Sequence, residues 1–196
     1  MNKFCIVLCA LVTGSFAVHA QISSGNMMVG GDLTFASESH QGGSANDVSS
    51  VTFSPAFGYF ISDRFAIGTS LSLSSSRTGT GADKTVRSSF GLGPFARYYL
   101  TTSNENFAFF GQAQISFASG KTDPPSGNVT RNNSITFALS PGAVFFFNEH
   151  WALEFALRGF SISSRDPNTD NDNDKVTRVE LGLNSFSPTL GFRYHF

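Results

Sequence analysis

The chain has 196 residues with 13 basic and 14 acidic side chains, a formal charge of −1, and only 14% of its residues are charged. Soluble domains carry about 25%, so an ordinary hydrated surface is a poor fit, and the near-neutral balance offers no basic footprint for nucleic acid. Phenylalanine (22 residues) and glycine (19) are both abundant.

Residues 1–20, "MNKFCIVLCALVTGSFAVHA", place Lys3 before an apolar run over 4–12 and end on the small residue Ala20. This is the three-part pattern of a secretory signal peptide, with an apolar run too short to span a bilayer. Gln21 is the expected mature start and 21–196 the expected barrel domain. Cys5 and Cys9 would leave with the leader, and Leu8 stands where a lipoprotein signal needs a small residue. No disulfide or thiol chemistry then remains. Without Lys3 there are 12 basic residues against 14 acidic ones, a formal charge of −2, and the surviving lysines are Lys84, Lys121 and Lys175, all in polar segments. No later segment has the ~20 apolar residues of a spanning helix.

Period-two alternation runs through the rest of the chain and predicts strands. A first strand is expected near 27–37. The second, near 50–61, reads "VTFSPAFGYFI", with Val51, Phe53, Pro55, Phe57, Tyr59 and Ile61 on one face and Thr52, Ser54, Ala56 and Gly58 on the other. After "SDR" (62–64) come a third strand near 65–76 and a fourth near 86–101, where Phe90, Leu92, Tyr98 and Leu100 share a face. "TTSNEN" (101–106) leads to a fifth near 106–118, and a sixth follows near 134–148. "NEH" (148–150) joins it to a seventh near 150–163, opened by Trp151, Leu153, Phe155 and Leu157, and the eighth covers 177–196. The other connections, 38–49, 77–85, 119–133 and 164–176, are long and rich in Gly, Ser, Asn and Asp. The expected fold is all-β: an eight-stranded antiparallel up-and-down transmembrane β-barrel with short periplasmic turns and long extracellular loops.

Four of the seven prolines, Pro55, Pro94, Pro141 and Pro188, recur at spacings of 39, 47 and 47 residues, each in a strand running down to a short turn or to the C-terminus. That makes four hairpins of similar design, with the prolines on the lipid face and a bulge or local bend expected at each missing donor. Tyr59, Tyr98, Tyr99, Tyr194 and Trp151 all lie close to a short turn or the C-terminus, where amphipathic rings form a headgroup-level girdle. A soluble barrel with these aromatics inside would leave Gly, Ala, Ser and Thr outside with almost no charge, a poorly soluble surface.

The blocks "FSPAFGYFISDRFAIG", "FGLGPFARYYL", "FALSPGAVFFFNEHWALEF" and "FSPTLGFRYHF" resemble the outer-membrane β-barrel domain of small porin-like proteins, the OmpA- and OmpX-type eight-stranded barrels. The resemblance covers essentially all of the mature chain and implies a location in the bacterial outer membrane, in contact with its lipid. The ending "LGFRYHF", with Phe192, Tyr194 and terminal Phe196, resembles the signal by which the barrel assembly machinery recognises its clients. Such a family is defined by its wall and not by a reaction.

An arginine facing lipid at mid-depth costs about 2–4 kcal/mol, so alternation should turn Arg87, Arg97, Glu154, Arg158, Glu180 and Arg193 inward as lumen-lining residues, with Asp32, Gln112 and Gln114. Glu154 and Arg193 fall at similar heights on adjacent strands with Arg97 across the barrel, which predicts an inward ion-pair cluster in the periplasmic half. The last strand slips phase between Leu183 and Phe186, and an extra residue near 184–185 would absorb the slip. No catalytic set is expected: His40 is in a loop, His195 is penultimate, and "HWALE" (150–154) pairs a turn histidine with Glu154 without a nearby serine. Asp170, Asp172 and Asp174 alternate in "DPNTDNDNDK", but Lys175 stands where a calcium loop needs glycine and Leu181 where it needs glutamate. No metal or cofactor is expected. The expected function is a structural or surface-interaction barrel with a side-chain-plugged lumen and an unknown external ligand at its loops; the alternative is a small passive channel, and a lipid-modifying enzyme is the least supported.

Overall fold

The computed structural model describes residues 22–38, 47–79, 84–169, 175–181 and 189–196. Among these residues every regular element is a strand: β1 Met27–Glu38, β2 Val48–Ser62, β3 Phe65–Thr78, β4 Thr85–Thr101, β5 Phe107–Asp123, β6 Thr130–Phe146, β7 Trp151–Ala156, β8 Phe160–Asp166, β9 Val176–Leu181 and β10 Thr189–His195. Strands β1 to β6 pair in chain order; β6 then pairs with both β7 and β8, β8 with β9, β7 with β10, and β10 with β1. Every pairing is antiparallel. Strands β7 and β8 form one crossing of the wall and β9 and β10 the next, so the sheet closes on itself through the β5–β6 and β10–β1 pairings as an eight-stranded barrel.

Alternation decides which side chains face outward. On β4, Phe90, Leu92, Tyr98 and Leu100 are exposed while Gly91, Gly93, Phe95, Arg97 and Tyr99 are buried. On β5 the exposed set is Phe109, Ile115 and Phe117, and on β6 it is Ile135, Phe137, Leu139 and Phe145. These exposed apolar residues form one continuous belt, which is the lipid-facing band of a membrane barrel.

The third outer connection is shorter than its composition suggests. Residues 119–133 read as loop, yet β5 and β6 stay paired from Ser119↔Asn133 to Thr122↔Thr130, leaving 124–129 as the connection. A ladder needs backbone groups and not apolar side chains, so it continues past the end of the belt.

The described prolines are accommodated by one rule. Pro55 pairs with Gly31 on the β1 side, while on the β3 side the ladder passes from Phe53↔Leu73 to Ala56↔Ser70 with unchanged register. Pro94 pairs with Thr69 on β3, and its β5 side passes from Leu92↔Phe117 to Phe95↔Gln114, again unshifted. Pro141 pairs with Gly111 on β5, and on its other side β6 goes from Gly142↔Ala156 to Leu139↔Phe160. Two residues there face three, 157–159, so of the three described strand prolines, at each of which a bulge or local bend was expected, Pro141 has a bulge opposite it. The peptide N–H of Leu157 donates to the Pro141 carbonyl (2.9 Å) and that of Gly159 to the Leu139 carbonyl (3.1 Å). Each proline turns its missing donor towards the following strand, so Pro55 and Pro94 need only an interrupted ladder. Pro188 lies outside the described residues.

Candidate functional site: the closed lower lumen

The short turns sit at one end of the barrel, and just above them the inner face loses its small residues. Phe60 of β2, Tyr99 of β4, Phe110 of β5, Phe146 of β6 and His195 of β10 all point inward and are buried, together with Met28 of β1. Their rings pack edge to face and tilted: Phe60–Tyr99 at 5.5 Å between centroids, Tyr99–Phe110 at 6.0 Å, Phe146–His195 at 5.4 Å and Phe60–His195 at 5.9 Å. Offset and tilted ring pairs at these distances are attractive beyond the area they bury. Small residues on the same inner face make room for this layer. A Cβ on Gly142 would run into the Phe110 ring, and one on Gly58 into Met28. The chain before β1 adds to the floor: Ile22 is buried, the Gly25 N–H donates to the Phe60 carbonyl (2.9 Å), and Gly25 takes a φ of 93°, a conformation that suits glycine.

One pleat above this floor lies a charged layer. Arg97 of β4 reaches across the lumen to Glu154 of β7 at 2.5 Å. The other oxygen of Glu154 faces Arg193 of β10 at 3.2 Å, and Arg193 also donates to Asp32 of β1 at 2.9 Å. Two cations and two anions thus neutralise each other, with Arg97, Glu154 and Arg193 each no more than 3% exposed. Arg97 donates further to Gln112 (2.9 and 2.7 Å) and to the Tyr99 hydroxyl (3.1 Å), and its guanidinium lies 4.1 Å from the Phe110 ring centroid. This cation–π contact ties the charged layer to the aromatic floor. Polar links continue upward from Gln112 to Gln114, and from Gln114 to Ser70 and Ser116. Each of these links sets a donor against an acceptor, as a buried polar network requires.

The predicted residues divide between two environments. Arg97, Glu154 and Arg193 come together with Asp32 and Gln112. Arg87 has the inward parity of β4, opposite Thr122, but is exposed at the outer end. Glu180 lies opposite buried Ser161 and pairs with Arg178 at 3.6 Å in an exposed setting. Arg158 is exposed within the 157–159 bulge and joins neither layer. Outward Val179 and Leu181 and outward Leu190 and Phe192 differ in phase, and residues 184–185, where the slip was expected, lie outside the described residues.

Tyr99 departs from the expected girdle. Tyr59, Tyr98, Tyr194 and Trp151 do face outward near the turns, with Trp151 and Tyr194 edge to face at 5.0 Å. Tyr99 alternates with Tyr98 and so must point inward, where it is fully buried. The floor residues Phe60, Phe110 and Phe146 were not singled out from the sequence. Their signal is the breakdown of alternation beside each turn: "YFI", "YYL", "FAFF" and "VFFF" put large residues on both faces.

Among the described residues, the side chains weighed for the enzyme reading have structural partners. Glu154 of "HWALE" is held by two arginines, and the Nδ1 of His150 lies 3.0 Å from the His195 carbonyl. Among the described residues no three His, Cys, Asp or Glu side chains converge as a metal site; Asp170, Asp172, Asp174 and His40 lie outside them.

Comparison with known proteins agrees with this architecture. No curated protein matches the chain. Among solved structures, the outer membrane protein OprG from Pseudomonas aeruginosa is similar at 14% identity, with 90% of this chain and 98% of that one covered and a TM-score of 0.50. Neisserial surface protein A (17% identity, 88% and 98% covered, TM-score 0.47) and the attachment invasion locus protein Ail of Yersinia pestis (12%, 88% and 99%, 0.47) are similar too. The sequence profile described as "Outer membrane protein beta-barrel domain" matches residues 6–185. With an exposed apolar belt, a closed antiparallel wall and that match over most of its length, the chain belongs to the outer membrane β-barrel domain family and resides in the bacterial outer membrane.

Proposed function

We propose that the chain serves as a structural and surface-display barrel whose lumen does not pass solutes. The observation that carries this is the stacked pair of layers in the lower lumen: an aromatic floor beneath a neutral, mutually bonded quartet of Arg97, Glu154, Arg193 and Asp32. An eight-stranded barrel is only wide enough for its side chains to fill, and here those side chains meet across its axis. Arg87, Arg158 and Glu180 contribute to the lumen walls above the plug. Function then rests with the outer connections, such as "SHQGGSAND" (39–47) and "DNDND" (170–174). Residues 1–20 act as a cleaved leader, and the terminal "LGFRYHF", with Phe192 and Phe196 exposed, serves as the address read by the assembly machinery. No catalytic role is assigned, because Glu154 and His150 are both engaged in structural bonds.

Single-channel conductance in a planar bilayer tests the reading, with heat-modifiable gel mobility to show that the sample is folded. The wild type should be silent, and Phe60→Ala/Phe146→Ala/Arg97→Ala, which opens the floor and removes the bridge across the lumen above it, should produce discrete steps. Steps in the wild type that change with Arg97→Ala would replace the plug with a narrow arginine-lined path.

A further inference from the structure

We propose that the outer face of β4, β5 and β6 holds the phosphate headgroup of an outer-leaflet lipid. Going up the outward face of these strands, the belt ends at Phe90, Phe117 and Ile135. Next comes a polar row, Ser88, Ser119 and Asn133, with Ser119 and Asn133 directly opposite each other. Two residues higher, Lys121 and Arg131 are also directly opposite, and Lys121 is opposite Ser88 on its other side. A shallow, open cleft at this place is lined by Ser88, Phe90, Ser119, Lys121 and Arg131 together with Ser89 and Gly120.

Like charges set opposite each other on one face of a sheet destabilise it. Asp123 meets Lys121 at 3.1 Å and offsets one of the two charges. The exposed Arg131 guanidinium has no anionic partner among the described residues. An anion between the two cations would relieve their repulsion, and a planar guanidinium beside a flexible ammonium suits a phosphate, with the serine hydroxyls as further donors.

Height selects a lipid over a free anion. Lys121 lies four residues above Phe117, about 13 Å along the strand and roughly 10 Å in height at the usual tilt. Its stem can bend back to the headgroup level. Phe90, exposed at the foot of the cleft, lies where the acyl chain of such a lipid would begin. The cleft is on the outside of the wall, so this assignment does not depend on whether the lumen conducts.

The test uses the folded chain in detergent micelles titrated with a short-chain phosphatidic acid, a phosphate-monoester lipid, with bound lipid counted by native mass spectrometry. Phosphatidylcholine and inorganic phosphate are titrated alongside. One phosphatidic acid should be retained, and its affinity should fall at least tenfold in Lys121→Gln/Arg131→Gln while staying unchanged in Arg87→Gln, which removes an exposed cation from the opposite face of β4. Equal retention by the double variant would overturn the proposal. So would displacement by inorganic phosphate at matching concentration, which would make the cleft a plain anion site. A second readout has a sign: in phosphatidylcholine vesicles the double variant should unfold at the same denaturant concentration as the wild type or a higher one, and with phosphatidic acid present at a lower one. Destabilisation in both lipids would make the pair part of the wall and nothing more.

Discussion

Glu154→Gln is expected to destabilise the barrel by about 3 kcal/mol. The carboxylate is 2% exposed, and its two oxygens face Arg97 at 2.5 Å and Arg193 at 3.2 Å. Glutamine keeps the shape and one acceptor but turns an amide NH2 towards one of the two guanidiniums. Removing one partner of a buried ion pair costs about 3–5 kcal/mol, because the charge left behind is uncompensated. Gln112 still accepts from Arg97 and Asp32 from Arg193, which places the expectation at the low end of that range. Urea titration of the chain folded in vesicles, followed by Trp151 fluorescence and gel mobility, measures the effect. Glu180→Gln is the internal control: its partner Arg178 is exposed at 3.6 Å, and such pairs contribute about 0–1 kcal/mol. Glu154→Gln/Arg97→Met should recover part of the loss, since it removes a cation along with the anion. If Glu154→Gln shifts stability no more than Glu180→Gln, the reasoning that the quartet braces the lumen is refuted.

The remaining predictions concern the wall. Leu92→Arg puts a charge on the lipid face between Leu71 and Phe117 and should cost about 2–4 kcal/mol, seen as a lower folding yield in vesicles; an unchanged yield would move Leu92 out of the hydrocarbon. Gly142→Val drives a side chain into the Phe110 ring, an overpacking of about 1–3 kcal/mol, whereas valine at Gly111, where a Cβ meets nothing, should be tolerated. Deleting Arg158 removes the extra residue opposite Pro141. The strand then runs on with two residues facing two, Leu139 stays opposite Phe160, and Phe160 and Ile162 keep their outward phase, so a heat-modifiable species should still form, and a deletion variant that fails to fold would show that Pro141 requires the bulge.

Much of this barrel is legible in one dimension because lipid imposes a strict alternation. Large apolar residues must face outward, so Val51 to Ile61 or Phe107 to Phe117 declare both the strand and the direction in which each side chain points. The same logic sends Arg97, Glu154 and Arg193 inward, and counting residues up from the turns puts them at one height. Where composition stopped matching the ladder, the strand ends were misread, as at 119–133. Backbone pairing continues beyond the membrane without any hydrophobic signature.

By itself, then, the sequence determined the class of wall, the number of crossings and the inward set of charges, because each follows from local periodicity against a uniform solvent. Only the tertiary structure decided what those inward residues meet. Whether Glu154 bridges Arg97 and Arg193, or whether Phe60, Tyr99, Phe110, Phe146 and His195 close into one floor, depends on strands far apart in the chain and on the stagger with which the barrel closes. It depends as well on the glycines that leave those side chains room. The prolines make the same point: their outward parity is a local property, but which of them needs a bulge depends on the register of the strand that follows.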